Sequence, residues 1–427
     1  MNDLLERARA SSIVACDSVV AECISVIATI QAVFKMQRTS EGELAMTNQS
    51  YYDRPLHELI KSKTESKVVQ TNIPSINMCL FNYLVVDYNY RSTDDQEGGE
   101  LFLSSPVTFI AVVAIDFGTT FSGFAFAFNN KEGEKSIHMN KEWGSDQGYS
   151  TMKTPTCLLL NPDQSFNSFG YEAKDKFADL EEEEARQYFY FDCFKMILHN
   201  NESLNMNTTV EAANGKHMRA LDVFKYSIKY LYTRALEVIK ERTGDEDFGG
   251  NDVQWVLTVP AIWKPAAKQF MREAAYQAGL AHPSNPEQIL IALEPEAASV
   301  YCREQKVREF VAESGSNDAS VEDTIARPET QYVVIDIGGG TLDVTVHELM
   351  ENGAIRELYK ATGGTFGGQN VNRQFRILLE QIFTKSFLDN YACHNPVDWL
   401  CLMNDFEVKK RGKRIYLGGD NTNPVAW

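Results

Sequence analysis

The sequence predicts an α/β chain built as two similar lobes. An apolar run ending in aspartate, FIAVVAID (109–116), leads through a Gly/Thr turn into the alternating strand FAFAF (124–128). The same grammar returns in YVVIDIGGGTLDVTVHEL (332–349), and between the two copies apolar strands alternate with helix-patterned stretches. Asp116 and Asp336 lie 220 positions apart. A strand-turn-strand unit repeated at domain-scale separation implies two lobes facing one another.

Residues 1–106 read as a helix followed by polar sequence, with RSTDDQEGGE (91–100) as a linker. The most apolar stretch, Ile13 to Met36, is broken by Asp17 and Glu22 and preceded by Glu6, Arg7 and Arg9. It falls short of the roughly 20 uninterrupted apolar residues of a membrane span. An amphipathic helix and a cytoplasmic protein with no membrane span are the expectation. The hairpin from Phe109 should have one strand buried on both faces. Glu181 to Glu184 should open a helix running towards Lys195, its acidic first turn solvated and favoured by the helix dipole.

Asp222 to Arg242 carries Phe224, Ile228, Leu231, Leu236 and Ile239 at helical spacing and ends in Lys240, Arg242 and Gly244, which are helix-stop signals. VQWVLTVP (253–260) reads as a strand, Ala266 to Gly279 as a helix closed by glycine, and QILIALEP as a strand feeding a helix near Pro295. Ala312 to Thr330 is acidic and nearly devoid of apolar residues, the pattern of a flexible insertion. The expected organisation is therefore an N-terminal extension over 1–106, a first lobe over 107–312, the insertion over 313–330 and a second lobe over 331–427.

With 427 residues, 44% of them hydrophobic and 23% charged, the chain is long enough for two or three domains and is not of disordered composition. A net charge of −18 repels polyanions and argues against nucleic acid as a partner. A single nucleotide held by local backbone dipoles is compatible with that charge. The eight cysteines are scattered, with no Cys-x-x-Cys pair, as free thiols of a reducing compartment are.

The chemistry concentrates at the two turns, Asp116-Phe117-Gly118-Thr119-Thr120 and Asp336-Ile337-Gly338-Gly339-Gly340-Thr341-Leu342-Asp343. Glycines let backbone N–H groups converge on an anionic oxygen, and the hydroxyls of Thr119, Thr120 and Thr341 add donors. Phosphate is the natural guest. Carboxylates at the strand ends would repel it unless a cation intervenes, which points to Mg²⁺ held through waters by Asp116, Asp336 and Asp343. Neither turn has the spacing of a P-loop or of a dinucleotide-binding fingerprint.

The turns resemble the paired phosphate hairpins of the actin, sugar-kinase and heat-shock ATPase superfamily. The segments DFGTTFSGFAFAF, FKMILH, VPAIWKPAAKQFMREAAYQAGL, IALEPEAASVYCR, IDIGGGTLDVTVHEL and ELYKATGGTFGG follow in family order. They narrow the resemblance to the seventy-kilodalton heat-shock family and its divergent heat shock 70 kDa protein 12 branch. The implied architecture is an actin-like, ribonuclease H-like two-lobed α/β fold whose second lobe is incomplete. The resemblance implies binding of ATP and ADP with Mg²⁺, and a weak ATPase coupled to lobe closure.

Residue by residue, it implies Asp116 on the metal side of the first loop with Gly118, Thr119 and Thr120, and Lys195 approaching the γ-phosphate. Glu294 would contact the metal's water shell. Asp336 and Thr341 with Gly338, Gly339 and Gly340 would form the second loop, Asp343 a further metal-side carboxylate, and Gly367 and Gly368 a glycine pair near the β-phosphate. Glu407 and Lys410 would lie on the adenosine-contacting helix. Pro260 falls at the proline of the interdomain switch, while the companion arginine is Lys268. The expected chain carries no peptide-binding domain. Rival classes are a non-catalytic, nucleotide-regulated scaffold for protein partners that the sequence does not identify, and a small-molecule kinase.

Overall fold

The computed structural model describes residues 109–129, 137–144, 151–304, 329–351 and 354–412. The expected N-terminal helix and linker, and the acidic insertion apart from residues 329 and 330, lie outside the described residues.

The chain starts with β1 (Ala111–Phe117), β2 (Phe121–Phe128) and β3 (His138–Met139), then β4 (Thr154–Pro155), β5 (Cys157–Leu160) and β6 (Phe166–Phe169). Short helices α1 (Tyr171–Ala178) and α2 (Glu182–Ala185) precede β7 (Phe189–Asp192), a 3₁₀ turn over Phe194–Leu198, and the ribbon β8 (Thr209–Glu211) and β9 (His217–Arg219). Long helix α3 (Ala220–Thr243) leads to β10 (Val253–Val259), α4 (Pro265–Ala278), β11 (Ile289–Leu293) and α5 (Glu294–Glu304). After the insertion come β12 (Gln331–Ile337), β13 (Leu342–Leu349), β14 (Ile355–Gly364), α6 (Gly368–Phe383), α7 (Lys385–His394) and α8 (Pro396–Gly412).

The first sheet runs β11-β10-β1-β2-β3, with β4 added beside β2. β1 pairs in parallel with β10 (Ala111 with Val253 through Ile115 with Leu257) and antiparallel with β2. Every residue of β1 and β10 is buried, as continuous apolar runs require of strands covered on both faces. Helix α3 packs across β1, β2 and β5 and against α4. The Phe224 ring on α3 meets those of Phe117, Phe194 and Phe270 at centroid distances of 5.7, 5.1 and 5.5 Å. Glycine ends both helices where expected: Gly244 and Gly279 adopt φ of 70° and 91°, which L side chains disfavour.

The alternating strand β2 is itself buried over six of its eight residues, since Phe124 to Ala127 alternate phenylalanine with alanine, both apolar. One expectation is corrected. The glutamates from 181 do not open a helix reaching Lys195. Helix α2 is a single turn, and the aromatic run Phe189–Phe191 is instead drawn into β7, paired with β5.

β5 serves two cores through its period-two alternation: Leu158 and Leu160 face the main one, while Cys157 and Leu159 join Phe177, Tyr190 and Leu400 in a second. The second sheet, β12-β13-β14, is antiparallel throughout, with α5 against β12 and β13. Among the described residues, 373–384, the C-terminal part of α6, form a unit apart, within which Arg376 pairs with Glu380. The others form one compact unit, which contains all of the residues discussed below.

Candidate functional site

The turns that close the two hairpins meet. A Cβ built on Gly339 would lie 2.4 Å from the Thr120 hydroxyl oxygen, and one on Gly340 would lie 2.6 Å from that of Thr119 and 2.3 Å from Met196 Sδ. Any side chain at either glycine would wedge the turns apart, so these residues set the closeness of the approach. Gly118 abuts the Phe121 carbonyl within its own turn, and Gly338 donates its N–H to the Thr341 carbonyl at 2.9 Å to close the second. Thr119 and Thr341 are buried.

Below the turns, Asp116 ends β1 almost fully buried. Thr258 of the neighbouring β10 donates its hydroxyl to Asp116 Oδ1 at 3.0 Å while accepting the Phe117 N–H at 3.3 Å. The ammonium of Lys153 pairs with Asp116 Oδ2.

Lys195 enters on the 3₁₀ turn after Cys193, whose left-handed φ of 50° reverses the chain and turns the following side chains inward. Its Nζ is buried, donates to Glu294 Oε1 at 2.9 Å and lies 5.1 Å from the centre of the Trp263 ring. Glu294, the first residue of α5, thus meets a lysine 99 positions earlier. Removing either partner would leave an uncompensated buried charge, a loss of about 3–5 kcal/mol.

Asp336 and Asp343 face each other across β12 and β13. Asp343 is buried, its Oδ1 accepting the Ile262 N–H at 3.0 Å, which fixes the segment between β10 and α4 onto the second hairpin. The Asp336 carboxyl is pushed up to about 7 by loss of water and by the neighbouring charges of Glu294, Asp343 and Asp116, against which Lys195 acts. Glu294 is raised as well, first by burial, with Lys195 opposing and Asp116 and Asp343 reinforcing. Four carboxyl groups therefore converge with two ammonium groups, an excess of two negative charges when all are ionised. Among the described residues no three such groups are close enough to ligate a metal ion directly.

The glycine pair at 367 and 368 docks backbone to backbone on the second turn. Gly367, Gly368 and Gln369 donate N–H bonds to the carbonyls of Gly340, Gly338 and Gly339 at 3.3, 3.1 and 2.8 Å. The first N–H groups of α6 thus hold the turn itself. A Cβ on Gly367 would lie 2.6–2.7 Å from backbone atoms of all three glycines.

Lys410 on α8 donates to the Gly368 carbonyl at 3.2 Å, to Asn372 Oδ1 at 2.9 Å and to Glu407, which also accepts from Asn372 at 3.1 Å. Helix α8 is fixed at its other end by Leu400 in the second core and by the Glu182 carboxylate, which accepts the N–H groups of Val397 and Asp398 at 3.4 and 3.0 Å. Glu182 was expected only to face solvent; it caps this helix.

The sequence-derived residues therefore gather in two groups. Gly118, Thr119, Thr120, Asp116, Lys195, Glu294, Asp336, Asp343 and Gly338 to Thr341 surround the facing turns, while Gly367, Gly368, Glu407 and Lys410 form a contiguous bonded group on the far side of the second turn. Lys153, Thr258, Met196 and Trp263 also belong to the site and were not singled out. For Lys153 the available signal was a lone cation directly before the strand pair Thr154–Pro155 and Cys157–Leu160.

The Hsp70 protein family model matches residues 112–396, and the chain belongs to this family, whose fold is of the actin-like ATPase class. It is similar to Heat shock 70 kDa protein 12A of Mus musculus, 44% identical over 360 residues covering 76% of this chain and 52% of that protein. Heat shock 70 kDa protein 12B of Homo sapiens is 43% identical over 345 residues, covering 71% and 49%. The chain spans about half the length of the curated relatives it matches. Among solved structures, MreB5 of Spiroplasma citri bound to ADP aligns at 12% identity with a TM-score of 0.35, over 64% of this chain and 56% of that one. Family membership points to nucleotide binding as the class of function. No described helix is long and apolar enough to cross a membrane.

Proposed function

We propose that the site formed where the two turns meet binds ATP and ADP with Mg²⁺ and hydrolyses ATP slowly, lobe closure following the nucleotide state. The observation that carries this reading is the contact of Thr119 and Thr120 with Gly340 and Gly339, joined through Met196 to the 3₁₀ turn that carries the Lys195–Glu294 pair. Backbone N–H groups and threonine hydroxyls at two converging turns suit a polyphosphate chain. The carboxyl excess suits a divalent cation held through water molecules, with Asp116, Asp336 and Asp343 as its outer partners, because two negative charges remain once both lysines are counted. When bound, such an ion would neutralise phosphate charge.

In this reading Lys195 orients the attacking water and offsets charge at the γ-phosphate, and Glu294 holds the lysine in place while it waits. Trp263, against the lysine's other side, keeps bulk water away. ATP favours the closed arrangement by binding it more tightly than the open one. Adenosine falls to the side of Glu407 and Lys410. Lobe limits at 107–312 and 331–427 and a cytoplasmic setting belong to the same proposal.

Isothermal titration of the full chain with ADP and ATP, with and without Mg²⁺, tests it. The expected result is Mg²⁺-dependent binding that Asp116→Asn weakens by at least about tenfold. Single-turnover hydrolysis in Lys195→Ala should fall by roughly 10²–10³ while nucleotide still binds. Equal Mg²⁺-nucleotide affinity in parent and Asp116→Asn would sink the site assignment.

A further inference from the structure

We propose that Lys153 is a positioning residue that competes with the divalent cation for Asp116 and thereby couples metal binding to nucleotide binding. This rests on the nucleotide and metal reading above and assigns one more residue to the same site.

The arrangement is built into the fold at three levels. The Lys153 backbone is pinned, since the Thr151 hydroxyl bridges the carbonyls of Trp143 and Lys153 at 3.0 and 2.9 Å, and Thr154 pairs with Ser122 on β2. The path of the side chain is cleared by Gly123, which lies opposite Asp116 in the β1–β2 register. A Cβ there would approach Met152 O to 2.8 Å and Lys153 Cγ to 3.1 Å. At the end of that path, the ammonium, with the side chain 14% exposed, meets the one Asp116 oxygen that Thr258 leaves open.

The Asp116 charge is one of those that raise both Glu294 and Asp336, so a divalent cation on its Oδ2 would relieve repulsion across the group. The Lys153 ammonium neutralises one of the three negative charges left once Lys195 is counted, and it occupies the oxygen through which a cation would reach the other two. A free metal ion must displace it without compensation. A metal ion arriving with a polyphosphate brings anionic oxygens to which the lysine can transfer, so its charge is never left unpaired. Lys153 therefore penalises the bare ion and favours the ion with nucleotide. Coupling of this kind is reciprocal: each ligand tightens the other by the same factor, about 5–150-fold in typical cases.

The test is Mn²⁺ binding to the full chain, read by loss of the free-ion electron paramagnetic resonance signal, with and without ADP. The parent, Lys153→Met, Lys153→Gln and Lys153→Arg are compared, with thermal melts as the control for folding and Gln as the second variant if Met does not fold. In Lys153→Met, Mn²⁺ alone should bind about tenfold more tightly than in the parent, and the gain on adding ADP should shrink correspondingly. Lys153→Arg should restore the parent's coupling, which a purely structural role would not predict. If Mn²⁺ alone binds Lys153→Met and the parent equally while the parent still binds Mn²⁺-ADP, the role of Lys153 is overturned and the nucleotide reading survives. If the parent binds ADP under no condition, the nucleotide reading falls and takes this proposal with it.

Discussion

In the first hairpin the residues on either side of the turn aspartate, Ile115 and Phe117, are fully buried; their counterparts in the second, Ile335 and Ile337, are 43% and 60% exposed. Both strands carry a continuous apolar run up to the aspartate, and their turns close the same strand-turn-strand unit. The difference comes from neighbours. β1 lies between β10 and β2 under α3, whereas β12 pairs with β13 alone among the described strands. Hydrophobic pattern specifies that a segment can be buried; how far it is buried depends on what the rest of the chain lays over it. In the second hairpin the alternating strand β13 is the buried member, the reverse of what a continuous apolar run beside an alternating one suggests.

The largest effect that would sharpen this contrast is at the paired positions themselves. Phe117→Ala should cost about 3–5 kcal/mol in urea unfolding, because its ring fills a cluster with Phe194 and Phe224. Ile337→Ala should cost less than about 1 kcal/mol. Equal losses would break the comparison and mean that β12 is covered in solution.

Next come the glycines of the second turn. Gly367→Ala, forced against three backbone groups, should destabilise by roughly 1–3 kcal/mol and weaken nucleotide binding. At Gly338 an added Cβ would meet nothing closer than the Thr341 carbonyl at 3.5 Å, so Gly338→Ala should be nearly neutral in a thermal melt.

The smallest effect concerns the two turn aspartates and has a pH signature. Asp336 in the folded chain holds its proton up to about 7, against an ordinary value of 3.8. The folded state therefore binds that proton more tightly than the unfolded one, and from about pH 4 to 7 ionisation of Asp336 erodes stability as pH rises. Without metal or nucleotide, Asp336→Asn should raise Tm by about 2–4 °C at pH 8 and leave it nearly unchanged at pH 4. Asp116→Asn should lower Tm at pH 8, since Lys153 and Thr258 lose their anionic partner.

Much of the fold was legible in the residues. The strands β1, β10 and β11, helices α3 and α4 and both glycine-rich turns fall where periodicity and stop signals place them, since these segments are long or end in strong local chemistry. The stretch from Glu181 to Lys195 was misread because a short acidic opening outweighed an aromatic run that needed β5 as its partner. Around the turns, Lys195 and Glu294 could be named through family resemblance, but their pairing, 99 residues apart, is a product of the packing. Lys153 and Thr258 lie in no motif, and Met196 and Trp263, although within the FKMILH and VPAIWKPAAKQFMREAAYQAGL segments, are of residue types that do not mark them for the site. They became part of the site through sheet register and loop path.

The sequence by itself determined the two strand-turn-strand units and the excess of carboxylates at their ends, because glycine, threonine and aspartate act through local backbone geometry and charge. Only the tertiary structure decided that the turns touch, that Lys153 rather than Lys195 meets Asp116, and that Asp336 is shielded from water, among neighbouring carboxylates, enough to keep its proton near neutrality. Those outcomes depend on distances between groups far apart in the chain, such as Asp116 and Asp336, 220 positions apart, and Coulomb energy and desolvation are functions of such distances, which no local pattern encodes.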